Sequence, residues 1–193
     1  MMEKETLDPV ATVLALYAGR GANVYVGEAV TQLEHALQTA DLAVHAGASN
    51  ALIVAALLHD IGHLLQQETE HAAEPRFPAR HELIGTRWIL QYFGATIAEP
   101  IHLHVAAKRY LCAVDPGYVQ LLSPASLMSL SVQGGPMDAA DIARYERLPH
   151  GQDAAHLRRW DDQAKVPGLQ VPDFACYRHN LKNACLVRMA QRR

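Results

Sequence analysis

The chain has 193 residues, 50% of them hydrophobic and 19% charged, with a net charge of −3, enough for one domain with a real core. That balance argues against a nucleic-acid binder built on a broad basic face, and no segment approaches the roughly 18 unbroken apolar residues of a membrane span. Three cysteines, Cys112, Cys176 and Cys185, with no CxxC among them, argue against a disulfide framework and for reduced thiols. The acidic start "MMEKETLDPV" lacks the basic-then-apolar layout of a signal peptide, so a soluble cytoplasmic protein is expected. Eleven histidines are the compositional oddity.

No repeat or linker divides the chain, which reads as a single domain over 1–193, with an N-terminal helix or extension over 1–20 and a core over 21–193. From Thr31 to Ala46, Leu33, Leu37, Ala40 and Val44 recur at helical steps, and Gly47 stops the run. Ser49 or Asn50 caps a second helix reaching about Gln66. Its sequence, "ALIVAALLHDIGHLL", is apolar nearly all round and belongs at the buried centre. After the polar loop "QETEHAAEPRFPAR", a third helix over His81 to Phe93 turns Trp88, Ile89, Tyr92 and Phe93 inward. A fourth is "AEPIHLHVAAKRYLCAV", with Pro100 in its first turn. Ser123-Pro124 opens a fifth that ends at Gly134-Gly135, and helices follow over Asp138 to Leu148, Gln152 to Lys165 and Phe174 to Met189. No stretch alternates with period two for long, so the fold class is all-α, a helical bundle.

Within the central helix, "LLHDIGHLL" packs His59, Asp60 and His63 among leucine, isoleucine and glycine. Imidazoles and a carboxylate on an apolar segment are costly unless something satisfies them. On a continuous helix His59 and His63 share a face and Asp60 is rotated by about 100°, which frees Asp60 to offer one oxygen to each of two metals. Borderline divalent metals accept such mixed nitrogen and oxygen ligands. His35, His81, His104 and Asp161 lie on other helices with apolar faces, the way a bundle points ligands at a shared site.

The ordered pattern His35, His59-Asp60, His81, His104 and Asp161 resembles the HD-domain superfamily of metal-dependent helical proteins. "VYVGEAVTQLEHALQTA" (24–40), "LLHDIGHL" (57–64) and "HLHVAAKRYLCAVD" (102–115) are similar to its mixed-valence diiron dioxygenases that cleave organophosphonates, with myo-inositol oxygenase a more distant relative. The likeness runs from about residue 20 to "YRHNLKNACL". It implies an Fe(II)/Fe(III) pair: His35, His59, Asp60 and Asp161 on one iron, and Asp60 bridging to a second held by His81 and His104. It also implies His63, Lys108, Ser126 and Arg158 as the phosphonate grip, with His63 and Lys108 as the catalytic candidates. Tyr25 would lie over the pocket, at a metal position until substrate displaces it, and Glu28 would face an amino or trimethylammonio group of the substrate.

The implied reaction uses O2 to cleave the C–P bond of a small-molecule 1-hydroxy-2-(amino or trimethylammonio)ethylphosphonate, giving phosphate and glycine or glycine betaine. An HD phosphohydrolase acting on a phosphomonoester or nucleotide is the alternative. No nucleic-acid or membrane partner is expected, and the chain reads as a monomer or weak homo-oligomer.

Several residues keep a second reading. Lys108 also reads as a solvated lysine beside Arg109, Ser126 as part of a helix cap, and Arg158 as the i, i+4 partner of Asp162. Asp161 is chosen over Asp162 because it follows Trp160 as in the family pattern, and His102 is set aside as pointing away from the site.

Overall fold

The computed structural model describes residues 8–25, 27–66 and 81–186. Among them are ten α-helices and two short 3₁₀ turns, and the only strand-like feature is an isolated bridge between Val24 and Thr31. Among the described residues no helix is long and apolar enough to cross a membrane.

Helix α1 (Pro9–Arg20) is capped by Asp8, whose side chain accepts from the Val10 and Ala11 amides. Helix α2 (Gln32–His45) opens on a reciprocal cap, the Thr31 hydroxyl on the Glu34 amide and the Glu34 carboxylate on the Thr31 amide. Ser49 starts α3 (Asn50–Leu58), whose apolar run is almost wholly buried. The expected single helix to Gln66 is instead broken: α3 stops before His59, and α4 (Ile61–Gln66) starts after Asp60. Two carbonyls at the break are held by side chains, Ala56 by the His59 ring at 2.9 Å and Leu57 by the Tyr17 hydroxyl at 2.9 Å. Leucine-rich sequence on both sides carries no signal of this break.

Helix α5 (His81–Tyr92) packs on α4 through glycine. A Cβ at Gly62 would lie 2.0 Å from the His81 carbonyl oxygen, so only hydrogen permits this approach. Helix α6 (Ala95–Val114) begins earlier than its sequence suggests, which puts Pro100 inside the helix, where it has no N–H for the turn behind it. It packs between α5 and α9 (Gly151–Gln163) and against α3. Helices α7 (Pro124–Val132) and α8 (Ala139–Tyr145) start at Ser123 and Asp138 side-chain caps. The last expected helix is a 3₁₀ turn over Phe174–Tyr177 followed by α10 (Arg178–Ala184); Met189 and the loop 67–80 lie outside the described residues.

The main core joins α1, α2, α3, α5 and α10 with the buried faces of α6 and α9. A second cluster around Tyr110, Tyr118, Leu130 and Tyr145 sits at the far end of α6. Cys112 and Cys185 are buried, Cys176 is exposed, and all three are free thiols.

Candidate metal centre

Four helices and one interhelical break converge on a small buried set of ligand-type side chains. His35 comes from α2, His59 and Asp60 from the α3–α4 break, His81 from the first residue of α5, His104 from α6 and Asp161 from α9. All but His81 are fully or nearly buried. Asp60 sits in the middle. Its Oδ2 lies 3.7 Å from His35 Nε2 and 3.4 Å from His59 Nε2. Its Oδ1 lies 3.3 Å from His81 Nε2 and 3.7 Å from His104 Nε2. Two ligand clusters, His35–His59–Asp60 and Asp60–His81–His104, therefore share one carboxylate. Asp161 joins the first cluster, with Oδ1 3.4 Å from His35 Nε2.

Hydrogen bonds to the main chain fix three of the rings. The Nδ1 atoms of His35, His59 and His104 lie 2.8, 2.9 and 2.6 Å from the carbonyls of Ala164, Ala56 and Ile101. A carbonyl only accepts, so each Nδ1 carries a proton, and a ring that has given up its second proton to a metal aims its Nε2 lone pair inward. His35 and His59 then bring two such nitrogens within 3.1 Å of each other. Both Asp60 oxygens and Asp161 Oδ1 are buried with no hydrogen-bond partner among the described residues. Lone pairs gathered on lone pairs away from water are stable only around a cation. The residues fit a pair of metal ions with mixed nitrogen and oxygen ligands.

Protonation follows the same geometry. Burial opposes charge on His59, but Asp60 and Asp161 outweigh it and hold its pKa up at about 9. Burial, aided by neighbouring His81, brings His63 down to about 4, and burial brings His104 down to about 3. Burial would raise both carboxyls, yet His59 keeps Asp60, and Arg158 keeps Asp161, well below the usual carboxylate range. Metal binding displaces protons from such imidazoles.

A cationic cluster adjoins the ligands. Arg158 forks between Asp161 (Nη1 to Oδ2, 2.9 Å) and Asp162, which takes its Nε at 2.9 Å and a second, very short bond from Nη2. Its Nη2 also donates to Ser126 Oγ at 3.3 Å. Lys108 is buried, donates to Ser129 Oγ, and is lowered by burial and by Arg158 to about 8. Tyr25 stacks on His35 at a ring separation of 4.3 Å, and His63 stacks on His81 at 4.0 Å. Burial and the nearby Asp60 and Asp161 carboxylates raise the Tyr25 phenol well above its ordinary value.

Over 188 residues, 96% of this chain and 92% of the relative, the sequence is 46% identical to a hydroxymethylphosphonate dioxygenase of Gimesia maris. It is 40% identical to the glycine-betaine-forming [1-hydroxy-2-(trimethylamino)ethyl]phosphonate dioxygenase of Leisingera caerulea over 159 residues, 82% of this chain and 81% of that one. The HD domain model matches residues 33–113. The chain belongs to the HD-domain oxygenase family.

In this HD-domain oxygenase each second reading has a placement. Lys108 is buried rather than solvated. Ser123, not Ser126, caps α7, and its Oγ accepts from the Ser126 amide. Arg158 does pair with Asp162, and with Asp161 as well. Asp161 faces the histidines and Asp162 faces the cations. His102 is exposed, away from the cluster.

Sequence reasoning missed Lys165, whose Nζ lies 2.9 Å from Ser126 Oγ, and missed Asp162 as an organiser that also takes the Tyr118 hydroxyl. Both follow Asp161 closely in "RRWDDQAK", but nothing local separates them from a solvated charged run. Glu28, expected beside a substrate cation, is paired with a protein one: Lys165 Nζ is 3.2 Å away.

Proposed function

We propose that the protein is a diiron dioxygenase that uses O2 to break the C–P bond of a 1-hydroxyphosphonate, releasing phosphate and a carboxylate. The observation that carries this is the Asp60 carboxylate, with one unpartnered oxygen toward each of two histidine pairs and a cationic cluster alongside. A site with two adjoining metals and a built anion grip suits a substrate that chelates and carries a dianion. The two relatives named above are a hydroxymethylphosphonate dioxygenase and a [1-hydroxy-2-(trimethylamino)ethyl]phosphonate dioxygenase.

In this reading His35, His59, Asp60 and Asp161 hold one ion, and Asp60, His81 and His104 hold the other. A mixed-valence Fe(II)/Fe(III) pair, when bound, supplies the O2 and redox chemistry. The chain's own residues hold and orient. Lys108 and Arg158, with Ser126 and His63, meet the phosphonate oxygens in a dry pocket where charge-assisted bonds are strong. Asp162 braces Arg158 by taking both its Nε and Nη2, so the guanidinium presents a fixed edge. The three Nδ1–carbonyl bonds keep His35, His59 and His104 from rotating as ligands exchange. Tyr25, flat against His35, covers one side of the site and excludes water there.

Anaerobic reconstitution with iron followed by oxygen-electrode assay tests the reading. Phosphate release from a 1-hydroxyphosphonate, matched by equimolar O2 uptake, is the expected result. Phosphate release from a phosphomonoester in the absence of O2, with none from the phosphonate, would instead establish an HD phosphohydrolase.

A further inference from the structure

Glu28 lies on the segment between α1 and α2, and its resemblance-based role is to meet a positive charge on the substrate. Its Oε1 is already engaged by Lys165 Nζ at 3.2 Å and by the hydroxyl of Ser123. The two charged side chains are only 10% and 9% exposed, so this is a buried pair and not a surface contact. Neither partner stands on loose backbone. The chain is fastened on both sides of Lys165: Ala164 O to His35 Nδ1 at 2.8 Å, and Val166 to the Gln38 amide through bonds of 2.8 and 3.0 Å. Around Glu28, Tyr25 N donates to Val30 O, and Glu28 N to Tyr25 O. Gly27, at φ +80°, comes so close to α7 that a Cβ there would sit 2.9 Å from the Ala125 Cβ.

Lys165 also donates to Ser126 Oγ at 2.9 Å and lies 3.5 Å from Asp162 Oδ1. The same Ser126 Oγ accepts from Arg158. Its ammonium therefore sits between the proposed phosphonate grip and Glu28, where the nitrogen end of an aminoethyl substrate would have to go.

We propose that Lys165 is a specificity-determining residue: it supplies Glu28 with an internal ammonium, so the preferred substrate is a short 1-hydroxyphosphonate without a cationic tail, of the hydroxymethylphosphonate class. A substrate ammonium reaching for Glu28 meets a like charge first. Displacing Lys165 would strand a buried cation without its carboxylate, and both effects select against charged tails. For hydroxymethylphosphonate the reaction closes with O2 as the only oxidant. One C–H bond, the C–P bond and the O–O bond break, one C–O and one P–O bond form, and formate, hydrogen phosphate and one proton leave.

The inference rests on the C–P-cleaving reading, and one experiment separates the two. Iron-loaded wild type, Lys165→Met and Lys165→Arg are assayed for O2-dependent phosphate release. The substrates are hydroxymethylphosphonate, 1-hydroxy-2-aminoethylphosphonate and its trimethylammonio analogue. Wild type should favour hydroxymethylphosphonate in kcat/KM by about tenfold or more. Lys165→Met should reduce that ratio by about tenfold or more, and Lys165→Arg, which keeps the cation, should preserve it. A wild-type preference for either cationic substrate overturns the proposal whether or not Lys165→Met folds. Equal losses on all three substrates in Lys165→Met overturn it too, because a merely structural lysine would behave that way. No O2-dependent release from any of the three overturns the C–P reading itself.

Discussion

Gly62→Ala is a sharp test of the shared-carboxylate arrangement, because it acts on one half of the site through backbone alone. The added Cβ would lie 2.0 Å from the His81 carbonyl oxygen and 2.7 Å from its carbon, against an ordinary contact of 3.4 Å or more. The start of α5 must then retreat by about 1.4 Å, several times the roughly 0.2 Å latitude of a metal–imidazole bond. His81 Nε2, now 3.3 Å from Asp60 Oδ1, leaves the second cluster. His35, His59 and Asp161 stand on other elements and keep the first. Iron content after anaerobic loading should fall from two ions per chain to about one, with activity lost. Overpacking should also cost about 1–3 kcal/mol of stability, read as a lower melting temperature. Two tightly bound ions and wild-type turnover in Gly62→Ala would refute the argument, since His81 could then not be both a ligand and set in place by this contact.

Asp60→Asn should abolish tight binding of both ions together, not one, because both clusters lose charge at their common oxygen pair; metal analysis at stoichiometric iron checks this. Asp161→Asn and Asp162→Asn should separate cleanly. The first lowers metal content. The second keeps the metal but frees Arg158 and raises KM for the phosphonate by about tenfold or more, the cost of losing a bidentate buried partner. With Lys108 lowered to about 8, its charge is present below that pH and lost above it. The kcat/KM for a dianionic substrate should therefore fall by about tenfold per pH unit above 8, and Lys108→Arg should remove the break.

The candidate ligands are legible because their chemistry is conspicuous: a histidine or aspartate on an apolar helical face has few ways of being satisfied. His35, His59, Asp60, His81, His104 and Asp161 stand out for that reason, and the structure brings the six together. The break at His59-Asp60 was not legible, since Leu57, Leu58, Ile61 and Leu64 continue a helical pattern straight through it. What breaks the helix is tertiary, including the Tyr17 hydroxyl arriving from α1. The start of α6 was misplaced because Pro100 looks like a first-turn residue, and five residues of helix precede it. Glu28 and Lys165 were unreadable as a pair: two charges at opposite ends of a chain carry no local mark of meeting.

The two-point fastening of Gln38 on Val166, next to the bond from Ala164 to His35, has an evolutionary corollary. The main chain at position 165 is held by its neighbours on both sides, independently of the bonds its own side chain makes. A change of residue there alters the charge offered to an incoming molecule while leaving the imidazole on α2 where it is. On the proposed reading, substrate choice can thus drift one side chain at a time, with the six histidines and aspartates left in place.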